Sequence, residues 1–191
     1  MQASLFKEET PAVADETVGE INRELREKGE MLFPDRIFVF GIGNPGAEVM
    51  VIGESPGPHE RLTLKPFSGP AGDLLSKILS SIDLKPEACY LTNIVKIISQ
   101  GEEITQKVLT FLWLYLRREV LAVQPRLIIS LGNTPTRELL KTKKPISAIR
   151  GETYEFAGIP VVPTFNPAYF LRDATKKREV WEDMKRVRAM L

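Results

Sequence analysis

Four short polar loops hold most of the side chains that could do chemistry in this chain. They are Gly53-Glu54-Ser55-Pro56-Gly57, Thr92-Asn93, Gly132-Asn133-Thr134 and Pro163-Thr164-Phe165-Asn166-Pro167. A carboxylate such as that of Glu54 can position a water or stabilise a developing positive charge. A carboxamide, as in Asn93 and Asn166, offers a donor and an acceptor at once. Asn133-Thr134 marks a helix start, which is either a plain cap or a phosphate-binding N-terminus. The only histidine, His59, stands between Pro58 and Glu60 and is read as an exposed loop residue, because a catalytic role depends on geometry. The single cysteine, Cys89, rules out an internal disulfide and a cysteine-based metal cluster within the chain.

The pattern of apolar residues says what positions these loops. Val18, Ile21 and Leu25 recur at helical spacing, which predicts a helix over 17–28. The stretch 33–45 is rich in glycine and proline and reads as extended and turn-rich. The fully apolar run 49–52, ended by Gly53, is expected of a buried parallel strand. Helices are predicted over 72–82, 105–123, 135–140 and 176–191, and strands over 90–95 and 127–131. Segments 153–156 and 159–162 flank Ala157-Gly158 as a hairpin whose second arm can join the main sheet. Four apolar strands separated by helices imply a three-layer α/β/α fold around a mostly parallel four-stranded sheet. The whole chain, 1–191, reads as one domain, with 1–32 as an N-terminal helical segment packed on it. In such a sheet ligands bind beyond the carboxyl ends of the strands. The four polar loops all fall there, which makes them a site and not yet a reaction.

With 43% hydrophobic and 27% charged residues in 191, the composition is that of a soluble globular protein. No apolar run is long enough to span a bilayer, and the first residues lack the apolar core of a signal peptide, so a cytoplasmic location is expected. Net charge is only +1, but it is unevenly distributed. Acidic residues (Glu8, Glu9, Asp15, Glu16, Glu20, Glu24, Glu27, Glu30) gather at the start, and Arg172, Lys176, Lys177, Arg178, Lys185, Arg186 and Arg188 at the end. Those cations form a solvated helix face or supply phosphate contacts.

A series of blocks carries a resemblance to a known family. Val39-Phe40-Gly41, Gly43-Asn44-Pro45 and Val51 to Gly57 with Glu60 come first, then Pro66-Phe67-Ser68-Gly69, Gly72 and Leu75. Leu91 to Lys96, Tyr115-Leu116, Pro125, Leu131-Gly132, Arg150-Gly151 and Pro163-Thr164 follow in order. Asn166-Pro167-Ala168-Tyr169-Phe170-Leu171-Arg172, Trp181 and Asp183 complete the series. Together they resemble the family 4 uracil-DNA glycosylases over residues 36–183, with Leu64 standing where the family usually has glycine.

The resemblance implies a glycosylase that flips a base from the stack, reads it and breaks its bond to the sugar. Phe67 resembles the aromatic platform for the base, and Asn93 the residue that reads its edge, although an asparagine tying down a loop would look the same. Glu54 resembles the acidic residue at the site, and Ser55 stands where other branches of the superfamily place a water-activating aspartate. Gly53, Pro56 and Gly57 complete that substrate loop. Glu60 resembles a pocket-lining residue and is also compatible with a solvated loop position. Tyr169-Phe170-Leu171-Arg172 resembles the loop that wedges into the duplex, and Asn133-Thr134 could meet its phosphates. A short helix burying Tyr169 and Phe170 is the alternative.

Two departures qualify the resemblance. The family's iron–sulfur cluster uses four cysteines, but Leu112 and Ile97 stand at two of those positions and the segment before Phe38 supplies neither of the others. No cofactor is therefore expected, with apolar packing in the cluster's place. The family's closing histidine, which bonds the departing base, is here Asn166, a neutral and weaker donor. The resulting expectation is a monomeric, monofunctional DNA glycosylase of base excision repair that acts on uracil or a related deaminated base in single- or double-stranded DNA, with reduced or altered activity. The alternative is a catalytically silent DNA-binding member.

Overall fold

The computed structural model describes residues 16–98, 101, 104–171 and 174–191. Helix α1 (Val18–Leu32) begins at a reciprocal cap: the Glu20 N–H donates to Thr17 Oγ1 at 3.3 Å, and the Thr17 N–H donates to the Glu20 carboxylate at 2.8 Å. Its inward face is Val18, Ile21, Leu25 and Gly29. Gly29 is there because the ring of Phe38 occupies the space of any β-carbon. Next come β1 (Ile42–Gly43), β2 (Val49–Gly53), α2 (Glu60–Thr63), α3 (Pro70–Ser80) and β3 (Tyr90–Asn93). The chain continues through α4 (Gln106–Val123), β4 (Leu127–Leu131), α5 (Asn133–Leu140), α6 (Ile146–Ile149) and the hairpin of β5 (Tyr154–Phe156) and β6 (Ile159–Thr164). It ends with α7 (Pro167–Phe170) and α8 (Lys177–Met190).

The strands form a mixed sheet in the order β1-β3-β2-β4-β6-β5. The four predicted strands are its parallel centre, with Val51 beside both Leu91 and Ile129, and Ile129 beside Val162. The expectation of a four-stranded sheet is corrected to six among the described residues. β1 adds antiparallel to β3 at one edge and β5 adds antiparallel to β6 at the other. Side chains alternate across the sheet with period two. Met50 and Ile52 enter a core with α1 and α4, while Val49 and Val51 enter another with α3, α6 and α8.

Two boundaries differ from expectation in ways that shape the site. β3 stops at Asn93, because the next two N–H groups turn to the loop after β2, Ile94 donating to Gly53 O and Val95 to Glu54 O, each at 2.9 Å. α3 starts two residues early, at Pro70, whose missing N–H is no loss in a first turn. In chain order β2 leads to β3 on one side while its other neighbour β4 leads to β6 on the far side. Their loops therefore part above the sheet, and a crevice opens between them.

Candidate functional site at the carboxyl edge of the sheet

A cavity of about 310 Å³ lies in that crevice. Glu54, Ser55, Gly57 and Glu60 line it from the loop after β2, Phe67 from the approach to α3, Asn93 from the end of β3, and Asn166 and Leu171 from around α7. Residues from three separate loops, predicted from their positions past strand ends, thus meet around one space.

Several local features hold this geometry. Gly53 closes β2 without a side chain, because Asn93 Oδ1 and the Phe67 ring already occupy the place of a β-carbon. Phe67 adopts φ 57°, in the left-handed region that a bulky residue rarely enters. Its carbonyl lies where a side chain on Gly72 would be, so the first turn of α3 accepts the strained residue only because position 72 is glycine. Strain of this kind costs on the order of 1–3 kcal/mol and aims the ring across Gly53. Glu60 is buried, and its carboxylate accepts the Gly57 N–H at 2.9 Å. It therefore closes the loop beside the cavity and is not the solvated residue that the sequence also allowed. Pro56 is buried behind the loop.

Asn93 is 4% exposed, and its carbonyl accepts from the ammonium of Lys96 at 3.0 Å. Asn166 caps α7, its Oδ1 accepting the Ala168 N–H at 2.9 Å. Only the oxygen of a carboxamide can accept, so this bond fixes the amide orientation and leaves its NH2 as the donor end. Gly132 leaves room for Asn166, since a side chain there would begin 3.1 Å from the Asn166 β-carbon, and Gly132 has φ 92°. Behind it Asp183 accepts from Arg150 Nε at 2.9 Å and from Thr164 Oγ1 at 2.7 Å, tying α8 to the end of β6. Burial raises the Asp183 carboxyl above the usual carboxylate range, with Arg150 and Thr164 opposing.

The predicted DNA-contacting residues divide. Tyr169 and Leu171 are exposed, and the Tyr169 ring stacks on Phe165 at 6.4 Å, so the alternative of a buried Tyr169 does not match. The backbone of Phe170 completes α7, and Arg172 lies outside the described residues. Asn133 and Thr134 open α5 but do not line the cavity. Asn133 Oδ1 instead accepts the Ile146 N–H at 2.7 Å, capping the start of α6.

The surroundings of two residues escaped the sequence reading. His59 is exposed, as expected, yet it also lines the cavity, against Gly69, which leaves no room for a side chain of its own. Lys96 is wholly buried beside Glu119. Burial pushes its ammonium below the usual lysine range, and Glu119 opposes the shift. The available signal was its setting, one cation between Ile94-Val95 and Ile97-Ile98.

A profile of the uracil DNA glycosylase superfamily matches residues 40–185, and the chain belongs to that superfamily. Among its relatives is the type-4 uracil-DNA glycosylase of Saccharolobus solfataricus, 33% identical over 161 residues, covering 79% of this chain and 74% of that one. The type-4 enzyme of Archaeoglobus fulgidus is 31% identical, covering 78% of this chain and 80% of its own. That of Thermotoga maritima is 30% identical, covering 80% and 82%.

The iron–sulfur cluster implied by the family 4 resemblance does not fit the residues present. Leu112 is 0% and Ile97 1% exposed, both packed in the core with Leu25 and Phe38. The one cysteine in the sequence, Cys89, is buried against the opposite face of the sheet, its thiol directed at Lys85 O and pushed up to about 12 by burial. A cysteine-ligated cluster has no ligand set in this chain. No helix among the described residues is long and apolar enough to cross a membrane.

Proposed function

We propose that the protein is a monofunctional DNA glycosylase that hydrolyses the N-glycosidic bond of uracil, or of a related deaminated base, in DNA. The observation that carries this reading is one cavity at the strand ends walled by Glu54, Phe67, Asn93 and Asn166 together. The relatives' naming as uracil-DNA glycosylases supports it.

A target base extruded from the stack would lie on the half-buried Phe67 ring. The Asn93 carboxamide has both the donor and the acceptor that the O4 and N3–H edge of uracil requires, and cytosine mismatches both. As the glycosidic bond breaks, negative charge gathers on the departing base and positive charge on the sugar. The Asn166 NH2 donates to the base, and the Glu54 carboxylate stabilises the sugar or holds the attacking water. Exposed Leu171 and Tyr169 are suited to filling the gap left in the stack. The neutral Asn166 donor makes the enzyme slower than a histidine-bearing relative, by less than the ~3 kcal/mol that losing such a donor altogether costs.

The same asparagine supports one other reading, a DNA-binding member without turnover. Uracil release from a labelled single-stranded oligonucleotide, followed by alkaline cleavage of abasic sites, separates the two. Scission by the wild type that is lost in Glu54→Gln and Asn93→Ala establishes the glycosylase. Binding without scission, at stoichiometric enzyme and with hypoxanthine or xanthine in place of uracil, establishes the silent member.

A further inference from the structure

Beneath the cavity a complete buried network surrounds one ammonium. Lys96 Nζ lies 2.6 Å from Glu119 Oε2, and both side chains are 0% exposed. Its other contacts are Thr92 Oγ1 and the main-chain carbonyl of Asn93, so three N–H donors meet three acceptors. Glu119 also accepts from Thr92 Oγ1 at 3.1 Å and from the Tyr90 hydroxyl at 3.4 Å.

Stability alone is a poor reason for this arrangement. Desolvating the two charges is costly, and apolar residues of similar volume often serve a fold as well or better. What the ammonium touches is more informative. Thr92 and Asn93 are the last residues of β3, and Ile94 and Val95, immediately after them, bond the carbonyls of Gly53 and Glu54. Lys96 therefore fixes the strand exit that carries Asn93 and, through two further hydrogen bonds, the loop that carries Glu54. An apolar side chain could fill the space but could not bond the Asn93 carbonyl.

We propose that Lys96, held in place by Glu119, is a positioning residue that sets the Asn93 carboxamide against the base and thereby governs which base the cavity accepts. Lys96 does not line the cavity and acts through Asn93. This inference rests on the glycosylase reading.

The test is the double variant Lys96→Met/Glu119→Gln, in which methionine replaces the lysine stem and glutamine still accepts from Thr92 and Tyr90, so no buried charge is left unpaired. Binding is measured to single-stranded oligonucleotides carrying 2′-fluoro-2′-deoxyuridine, whose fluorine disfavours the cationic sugar and slows cleavage, and to the same strand with cytosine. The expected result is a loss of about tenfold in the preference for uracil over cytosine while a cooperative unfolding transition is retained, and no further loss when the double variant is added to Asn93→Ala. A merely structural pair would leave the preference intact. A variant preference equal to that of the wild type, or an undiminished loss in the Asn93→Ala background, overturns the positioning role. If the first variant does not fold, Lys96→Leu/Glu119→Leu carries the same comparison. A wild type that shows no preference for uracil and releases none overturns the glycosylase reading along with this one, whereas a discriminating wild type with an equally discriminating variant overturns only the positioning role.

Discussion

At Asn166 one side chain has two tasks. Its oxygen caps α7, and its NH2 is the donor proposed for the leaving base. Replacing it with histidine separates them. An imidazole that can carry charge should raise the rate of uracil release by about tenfold to a hundredfold. The lost cap should lower stability by about 1 kcal/mol. Single-turnover kinetics and chemical unfolding of Asn166→His check both, and a rate that does not rise argues against Asn166 as the donor. Phe67 is a second case of a residue placed at some expense. In Phe67→Ala the β-carbon still meets the unfavourable backbone at φ 57°, so the strain persists while the stacking surface goes. Binding to a uracil-containing single strand should weaken by about 1–3 kcal/mol, read by fluorescence anisotropy.

Among the elements, the pairing of α1 with α4 decides how the place of the missing cluster is filled. Leu112 on α4 is wholly buried beside Leu25 of α1. Leu112→Ala should therefore destabilise the protein by about 2–5 kcal/mol in urea unfolding, because the helices cannot fully close over the void. The outer seam of the same pair is electrostatic. Arg118 bonds both Glu16 and Glu24, and Tyr115 donates to Glu24 at 3.3 Å. Arg118 and Lys28 hold the Glu24 carboxyl at about 2, below its ordinary 4.5. A carboxyl depressed in the folded state binds fewer protons there than when unfolded. Its contribution is thus complete above about pH 4.5 and is lost as pH falls toward 2. Protection of the α1 amides, taken relative to the intrinsic exchange rate at each pH, should fall across that window, and Glu24→Gln should flatten the change.

For the molecule as a whole, the parts governed by local pattern were readable in advance. The four central strands lie in segments rich in apolar residues, and Glu54, Asn93 and Asn166, at or just beyond the ends of three of them, face one crevice because a parallel sheet puts all its carboxyl ends on one edge. The parts set by distant partners were not readable. β1 is two residues among glycines and a proline, too short for any periodicity, and is a strand only because Tyr90 and Leu91 of β3 lie alongside. Asn133 looks like a cap for its own helix, yet its partner is thirteen residues on. Lys96 is buried because of a glutamate 23 residues away on another element, which no spacing rule anticipates.

The leucine and isoleucine that stand where cluster ligands would be expected have a consequence beyond the site. A domain closed by hydrocarbon packing makes no demand on iron supply for folding, and among the described residues its only thiol is buried away from oxidants. In exchange, that corner depends on the hydrophobic effect, which weakens as water cools. The apolar packing between α1 and α4 should therefore loosen on cooling.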